Sequence, residues 1–307
     1  KLPIWEFTEG GESKMKIKES FGSKLFDALN IVFMAAMMII CFYPFWYVLV
    51  CSFTDGRYLI GDKGLILFPK VFSTAAYTRV SDNPNIFSGY KTTIEILVFG
   101  TTLNLILTSL GAFVVTRKHF KPAKVMMKLM IFTMYFSGGM IPMYLLVNNV
   151  LHLHNSLLAV ILPTAINTYN LIIMKTNFEA VPQSLEESAY IDGANDFILF
   201  WNIVLPLSKA VIAVMVLYYG VAHWNAWFNA MLYFDDKRRY PLQLVLREIL
   251  ILGDTRDMTV GDSGDTYAIS ESIKYATIIV ATVPILVIYP FIQKYFVKGM
   301  MVGAVKG

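Results

Sequence analysis

The sequence predicts an all-α integral membrane protein with six transmembrane helices. Three observations carry that expectation. Of the 307 residues, 56% are hydrophobic and only 16% are charged, whereas soluble domains average about 45–50% and about 25%. The apolar excess is gathered into six runs long enough to cross ~30 Å of hydrocarbon. Lysine and arginine cluster at alternate ends of those runs with almost no acids among them, a pattern that sets orientation. A soluble enzyme, a disordered tail and a disulfide scaffold are all excluded.

Residues 1–24 form a polar leader carrying Lys14, Lys16, Lys18 and Lys24. The first apolar run, 25–53, lies behind that leader and is too long for the core of a cleavable signal, so it is expected to remain as the first helix. Runs 93–116, 125–147, 156–175, 207–232 and 273–296 supply the other five, with boundaries good to a few residues. Arg117, Lys118, Lys121, Lys124 and Lys128 follow the second run, and Lys294, Lys298 and Lys306 close the chain, all without acids. In a six-span arrangement these groups share one side, which places both termini in the cytoplasm. The mixed-charge segments 54–91 and 233–272 fall outside. The second of them contains a helix-like piece, 242–252, before a glycine- and aspartate-rich turn region. Residues 25–296 are thus the transmembrane domain and 297–307 a cytoplasmic tail.

The net charge of +4 is accounted for by these flanking residues and does not call for a nucleic-acid partner. Cys41 and Cys51 share one run, where ten residues of helix separate them by about 15 Å, too far for a disulfide. No N-x-Ser/Thr site occurs, in keeping with a bacterial or cytoplasm-facing setting. Gly138, Gly139 and Pro142 interrupt the third run, Pro163 the fourth, and Pro284 and Pro290 the sixth. Such positions either break helices around a cavity or reflect the general tolerance of membrane helices for proline and glycine.

The interior lacks the acids that an ion-driven pump needs. Asp27 and Glu95 sit only at run ends, and His223 is the one candidate proton carrier, though a lone histidine more often bonds to a neighbour. The phosphate-cradling G-x-x-x-x-G-K-Ser/Thr loop and the H-E-x-x-H zinc signature are both missing. His152 and His154 are two ligands short of a site. No catalytic residue and no metal site are predicted, and the chain is not expected to be an enzyme.

The loop 179–206 differs from the basic ones. It holds Glu179, Glu186, Glu187, Asp192 and Asp196. Ser184 and Glu187 have capping-box spacing, so a helix is expected to start at Ser184. Asp192-Gly193 supplies a turn in which glycine tolerates positive φ. A second helix places Phe197, Phe200, Trp201 and Val204 on one face and is expected to end at Pro206.

This loop resembles the EAA motif of binding-protein-dependent ABC importer permeases. Its elements are Glu187-Ser188-Ala189, Asp192-Gly193-Ala194 and Ile203-Val204-Leu205-Pro206, with Ser188 replacing the usual alanine. The tail from Gln293 to Gly307 is similar to that of maltose-transporter-type permeases. Tyr135-Phe-Ser-Gly-Gly-Met-Ile-Pro142 and Tyr240-Pro-Leu-Gln-Leu244 are similar to the subgroup that imports oligosaccharides from complex polysaccharides, alginate included. The resemblance implies a type I ABC importer permease fold in a bacterial inner membrane. It implies a related permease as heterodimer partner, two ATPase subunits that hold ATP and Mg, an extracellular solute-binding protein and membrane lipid. No cofactor is expected on this chain. The ATPase-coupling residues would be Glu187, Ala189, Asp192, Gly193, Ala194, Phe197, Phe200 and Trp201. Glu187 would face an arginine of the ATPase, or simply cap its own helix at about 0.5–2 kcal/mol. Loop 233–272 would reach the docked binding protein. A stand-alone secondary carrier or channel is the other reading.

Sugars are bound by flat aromatic faces and by amide or hydroxyl hydrogen bonds. The fifth run supplies both in Tyr218, Tyr219, His223, Asn225 and Asn229, the candidate substrate path. Tyr218, Asn225 and Asn229 fall near one helical face. Asn104, Asn167 and Asn170 are further polar candidates. The same residue types also glue membrane helices together at about 0.6–2 kcal/mol per contact.

Overall fold

The computed structural model describes residues 5–7, 13–15, 21–61, 64–117, 119–251 and 263–304. Two three-residue strands, β1 (Trp5–Phe7) and β2 (Ser13–Met15), pair antiparallel with Trp5 opposite Met15. This small strand pair occupies part of the leader, outside the all-helical transmembrane region. Apart from an isolated bridge between Thr54 and Phe72, the other regular structure among the described residues is helical. The chain runs through α1 (Phe21–Ser52), α2 (Gly56–Gly61), α3 (Ala75–Ser81), α4 (Pro84–Thr116), α5 (Ala123–Tyr135), α6 (Met140–Leu145), α7 (Leu157–Ile161), α8 (Thr168–Glu179), α9 (Gln183–Ile191), α10 (Asp196–Leu199), α11 (Leu205–Leu207), α12 (Lys209–Trp224), α13 (Phe228–Tyr233), α14 (Leu242–Ile251) and α15 (Ser263–Ala304).

Among the described residues, α1, α4 and the 270–290 part of α15 are long and apolar enough to cross a membrane by themselves. Three bent pairs raise the count to as many as six. The third run breaks between α5 and α6 with a 116° bend, where Gly139 takes a φ of +90° that only glycine adopts cheaply. The fourth breaks by 54° between Thr164 and Thr168, just after Pro163. The segment Asp196–Leu207 meets α12 at 82°. The sixth run behaves otherwise, since α15 continues through Pro284 and Pro290. Its backbone stays helical to Ala304. The second run starts nine residues earlier than expected because Asn83 caps α4, its side chain accepting from Asn85 N–H at 2.8 Å, with Pro84 in the first turn.

α4 is the central helix. Gly89, Thr93, Gly100, Asn104 and Thr108 lie four or seven residues apart in sequence, on one face of the helix, and are all buried. This seam of small and polar side chains lets neighbouring backbones approach closely, as membrane helix packing favours. α12, α8 and α14 pack along it. α14, the helix-like piece expected at 242–252, lies with Leu242, Leu244, Val245 and Ile249 inward. Its first amide, Leu242 N–H, donates to Thr93 Oγ1 at 2.9 Å. The glycine- and aspartate-rich stretch 253–262 lies outside the described residues. At the opposite end of the bundle, Leu171, Met174 and Phe178 of α8 join Leu199, Phe200 and Val204 beneath α4. This core roots the 179–206 loop in the bundle. α1 packs chiefly along α15 and leaves most of its surface uncovered.

Candidate functional site: an acidic two-helix loop and a polar cavity

The acidic loop folds as two short helices, with local corrections to the expected pattern. α9 starts at Gln183 after Pro182, and no side chain caps it. Ser184 therefore lies inside the first turn and the capping box does not form. Glu187 instead accepts from Gln183 Nε2 at 2.7 Å. The turn is built as its glycine requires. Gly193 has a φ of +83°, its N–H donates to Tyr190 O, and Ala194 N–H donates to Ala189 O at 2.9 Å. These two bonds make a Schellman motif, which satisfies carbonyls at the end of α9. Ala189 is buried in the core and Ala194 packs against it, so a small residue fits at both positions. Asp192 is the C-cap of α9.

Asn195 caps the second helix, accepting from Ile198 N–H at 2.9 Å. That helix does not end at Pro206. A π-helical turn, Phe200–Val204, leads into α11, and the run stops at Leu207. Proline is accommodated because it falls in the first turn of α11, where its missing N–H costs little. The expected apolar face is parted. Phe200 (3% exposed) and Val204 point under α4, with the Phe200 ring 5.0 Å from that of Phe113. Phe197 (68%) and Trp201 (51%), 6.1 Å apart, point outward. The stripe is wider than the core beneath it, and its outer edge is left uncovered. Tyr190 joins the two helices, its hydroxyl donating to Asp196 Oδ1 at 2.5 Å. Burial first, and then this bond, push the Tyr190 hydroxyl above the ordinary tyrosine range. Beside the loop lies a cleft of 950 Å³ lined by Arg117, Phe120, Glu186, Glu187, Tyr190 and Asp196, among others.

The fifth run is interrupted. α12 ends at Trp224, and α13 resumes at Phe228. Asn225 stands at the break and its side-chain amide donates back to Val221 O at 2.9 Å, one of the local bonds by which asparagine competes with a continuing helix. Tyr218, Asn225 and Asn229 consequently do not share one helical face. Tyr218 and Asn229 line a 610 Å³ cavity with Asn167, Asn170, Thr164 and Tyr289, whereas Asn225 does not. Tyr219 and His223 reach the same cavity wall but are themselves buried and bonded. His223 Nε2 donates to Asn104 Oδ1 at 2.5 Å, and Asn104 Nδ2 donates to Thr164 O at 2.7 Å and Ala165 O at 2.8 Å. Thr108 and Tyr219 share a hydroxyl bond of 2.7 Å, and Asn167 N–H donates to Tyr219 at 3.3 Å. This polar knot ties α4 and α12 to the break between α7 and α8, whose freed carbonyls it satisfies. His223 is thus bonded to a neighbour and also lines the cavity. Outside the bundle, His154 is engaged by Asp235 at 2.7 Å and Asn148 at 3.3 Å.

Tyr289 was not legible as a site residue, because in sequence it is one aromatic in an apolar run. Arg117 and Glu186 were read only as a topology charge and a loop acid, yet they pair. Charge and spacing gave no sign that residues 69 positions apart would meet.

Bent apolar helices surround a polar, aromatic cavity, and a two-helix projection shows bare aromatics at one end, the architecture of a membrane transport subunit. Residues 105–302 match the family model described as binding-protein-dependent transport system inner membrane component, and the chain belongs to that family. It is 42% identical to protein LplC of Bacillus subtilis over 92% of this chain and 96% of that one. It is 43% identical to the polygalacturonan/rhamnogalacturonan transport system permease protein YtcP of the same organism, over 93% and 99%. The crystal structure of a bacterial ABC transporter involved in the import of the acidic polysaccharide alginate contains a similar chain, with a TM-score of 0.82 at 28% identity, covering 92% of this chain and all of that one. The fold is that of a type I ABC permease, a non-catalytic membrane component of an ABC importer. That membership sets aside the stand-alone carrier or channel.

Substitutions separate cavity wall from surface. Tyr218→Ala and Asn229→Ala are expected to lower sugar uptake, or change preference among oligosaccharides, at constant complex abundance. Asn225→Ala is expected to leave both unchanged. Uptake by vesicles normalised to immunoblotted subunit decides the matter, and equal behaviour of all three would remove the cavity from the path.

Proposed function

We propose that this chain is one of two related permease subunits of an ATP-driven importer of oligosaccharides released from complex polysaccharides. In this reading it crosses the bacterial cytoplasmic (inner) membrane six times, with both termini and the 179–206 loop in the cytoplasm. The first two bent pairs are single broken spans, and in the third α12 and α13 form the span while Asp196–Leu207 belongs to the loop, which matches the basic clusters at 14–24, 117–128 and 294–306. Two ATPase subunits carry ATP and Mg, and an extracellular solute-binding protein delivers the sugar toward α14 and loop 233–272.

The observation that carries the reading is the projecting pair α9–α10. Phe197 and Trp201 are bare on a loop otherwise fixed by a Schellman turn and a buried core. Large exposed aromatics beside acids are the surface of a docking element. Ala189, Asp192, Gly193 and Ala194 shape that element, and Phe200 anchors it. Glu187, exposed next to the cleft, presents its carboxylate to the ATPase. ATPase closure would rock the loop and, with it, the helices around the cavity of Tyr218, Asn167, Asn170 and Asn229. The amide and aromatic groups there match the hydroxyls and ring faces of sugars.

Purification under mild detergent, with mass spectrometry of the associated proteins and bound glycan, tests this. Recovery of a second permease, an ATPase in two copies and an oligosaccharide is the expected result. A chain recovered alone and active in liposomes without ATPase would overturn it.

A further inference from the structure

The guanidinium of Arg117 sits at the C-cap of α4 and is engaged on every side. Its Nη1 and Nη2 donate to the two carboxylate oxygens of Glu186 at 2.9 and 3.0 Å, a fork-on-fork pair. Nη2 and Nε also reach Thr116 Oγ1 at 3.2 and 3.4 Å. The guanidinium lies 4.2 Å from the centre of the Phe113 ring, within cation–π range. The two paired side chains are only 14% and 19% exposed, so water competes weakly for them and the pair is stronger than a surface ion pair. Burial works against the charge on Arg117, but the Glu186 carboxylate and the Tyr190 hydroxyl together more than offset it.

Glu186 belongs to α9, and Tyr190, one turn further on, is bonded to Asp196 of α10. α4, α9 and α10 are therefore triangulated. The covalent routes from the loop into the bundle are bends, residues 180–182 between α8 and α9 and the 82° corner at Ser208 before α12, and the remaining link is the non-directional packing of Ala189, Leu199 and Phe200 beneath α4. Thirteen residues of unbroken α4, about 20 Å at 1.5 Å per residue, separate Arg117 from Asn104. Asn104 in turn holds His223 of α12 and the carbonyls of Thr164 and Ala165.

We propose that Arg117 and Glu186 are positioning residues that form a strut, making α9 and α4 move as one body and carrying the motion of the loop straight to the polar knot beside the cavity. This rests on the reading of the loop as the element driven by the ATPase. It differs from the docking role of Glu187, because both partners of the strut belong to this chain.

Spin-label distances in the assembled complex test the two ideas separately. In a Cys41→Ser background, exposed Ser184 of α9 is labelled against Phe87 at the far end of α4, and in a second sample against Val32 of α1. Each pair is measured without nucleotide and after trapping with Mg-ATP and vanadate. The expected result is that 184–32 shifts by several ångströms while 184–87 stays fixed. In Arg117→Gln and in Glu186→Gln, 184–87 should shift or broaden on trapping. The exchanged pair Arg117→Glu with Glu186→Arg should restore the fixed distance, which gives a readout even where one single variant fails to assemble. A 184–87 distance that already changes in the unaltered complex, or stays fixed in both glutamine variants, overturns the strut and leaves the loop reading standing. A 184–32 distance that never changes overturns the loop reading and the strut with it.

Discussion

Gly100→Val is expected to strip the subunit from the membrane or leave it at a small fraction of its normal abundance. A Cβ at position 100 would lie 2.6 Å from His223 Nε2 and 2.7 Å from Cε1. The imidazole has nowhere to go without releasing Asn104, to which it is bonded at 2.5 Å. Overpacking of this kind costs roughly 1–3 kcal/mol, and each buried group left unpaired roughly another 1–3 kcal/mol. Asn104→Leu should act by the second route alone, orphaning His223 and the carbonyls of Thr164 and Ala165. Gly220, on α12, is the control: nothing lies within 4 Å of its Cβ position. Gly220→Ala should be neutral or stabilising by about 0.5–1 kcal/mol. Immunoblotted membrane abundance and the thermal midpoint of the detergent-solubilised complex measure these effects. If Gly100→Val accumulates and melts like the unaltered chain, the knot does not hold α4 to α12.

The apolar runs were legible because one property, length without charge, decides them. Where they break was only half legible. Gly138-Gly139 and Pro163 mark real bends, yet Pro284 and Pro290, the same residue type, sit in a continuous helix. Neighbours satisfy freed carbonyls in both settings, Asn104 at Thr164 and Ala165 and the Tyr90 hydroxyl at Val280, four residues before Pro284, so the residue type alone does not say which helix bends. The fifth run failed for a different reason. Its apolar content continues past Trp224, so hydropathy sees one helix, while the backbone breaks at Asn225 and resumes at Phe228.

The acidic loop was the most legible part because its turn depends on backbone conformation at one glycine. Its helix ends were not, since Ser184 and Pro206 each had the right neighbours for a cap or a stop and the chain used neither. The split of Phe197 and Trp201 from Phe200 and Val204 depends on how much of the stripe α4 covers, and no periodicity in one segment contains that.

Gly193→Val should leave an assembled complex that no longer imports sugar. The φ of +83° is an outlier for a β-branched residue, and holding it there stores roughly 1–3 kcal/mol of strain. No atom lies within 4 Å of the Cβ position, so the cost falls on the backbone of the turn and not on the packing beneath it. At about 1.4 kcal/mol per factor of ten, that strain depopulates the native angle between α9 and α10 by about 5- to 140-fold. The Tyr190–Asp196 bond spans that angle, and Phe197 and Trp201 would meet their partner in the wrong register. Gly193→Asn is the discriminating companion, because asparagine enters the left-handed region far more readily than valine. It should retain most uptake at equal abundance. Glu187→Lys leaves the turn intact and should also lose uptake, by setting a positive charge where the docking reading places a carboxylate against an arginine. Substrate-stimulated ATP hydrolysis and uptake, measured together in proteoliposomes, resolve the three variants. Full uptake by Gly193→Val would show that the loop tolerates a reshaped turn and is not the element through which ATP drives the sugar.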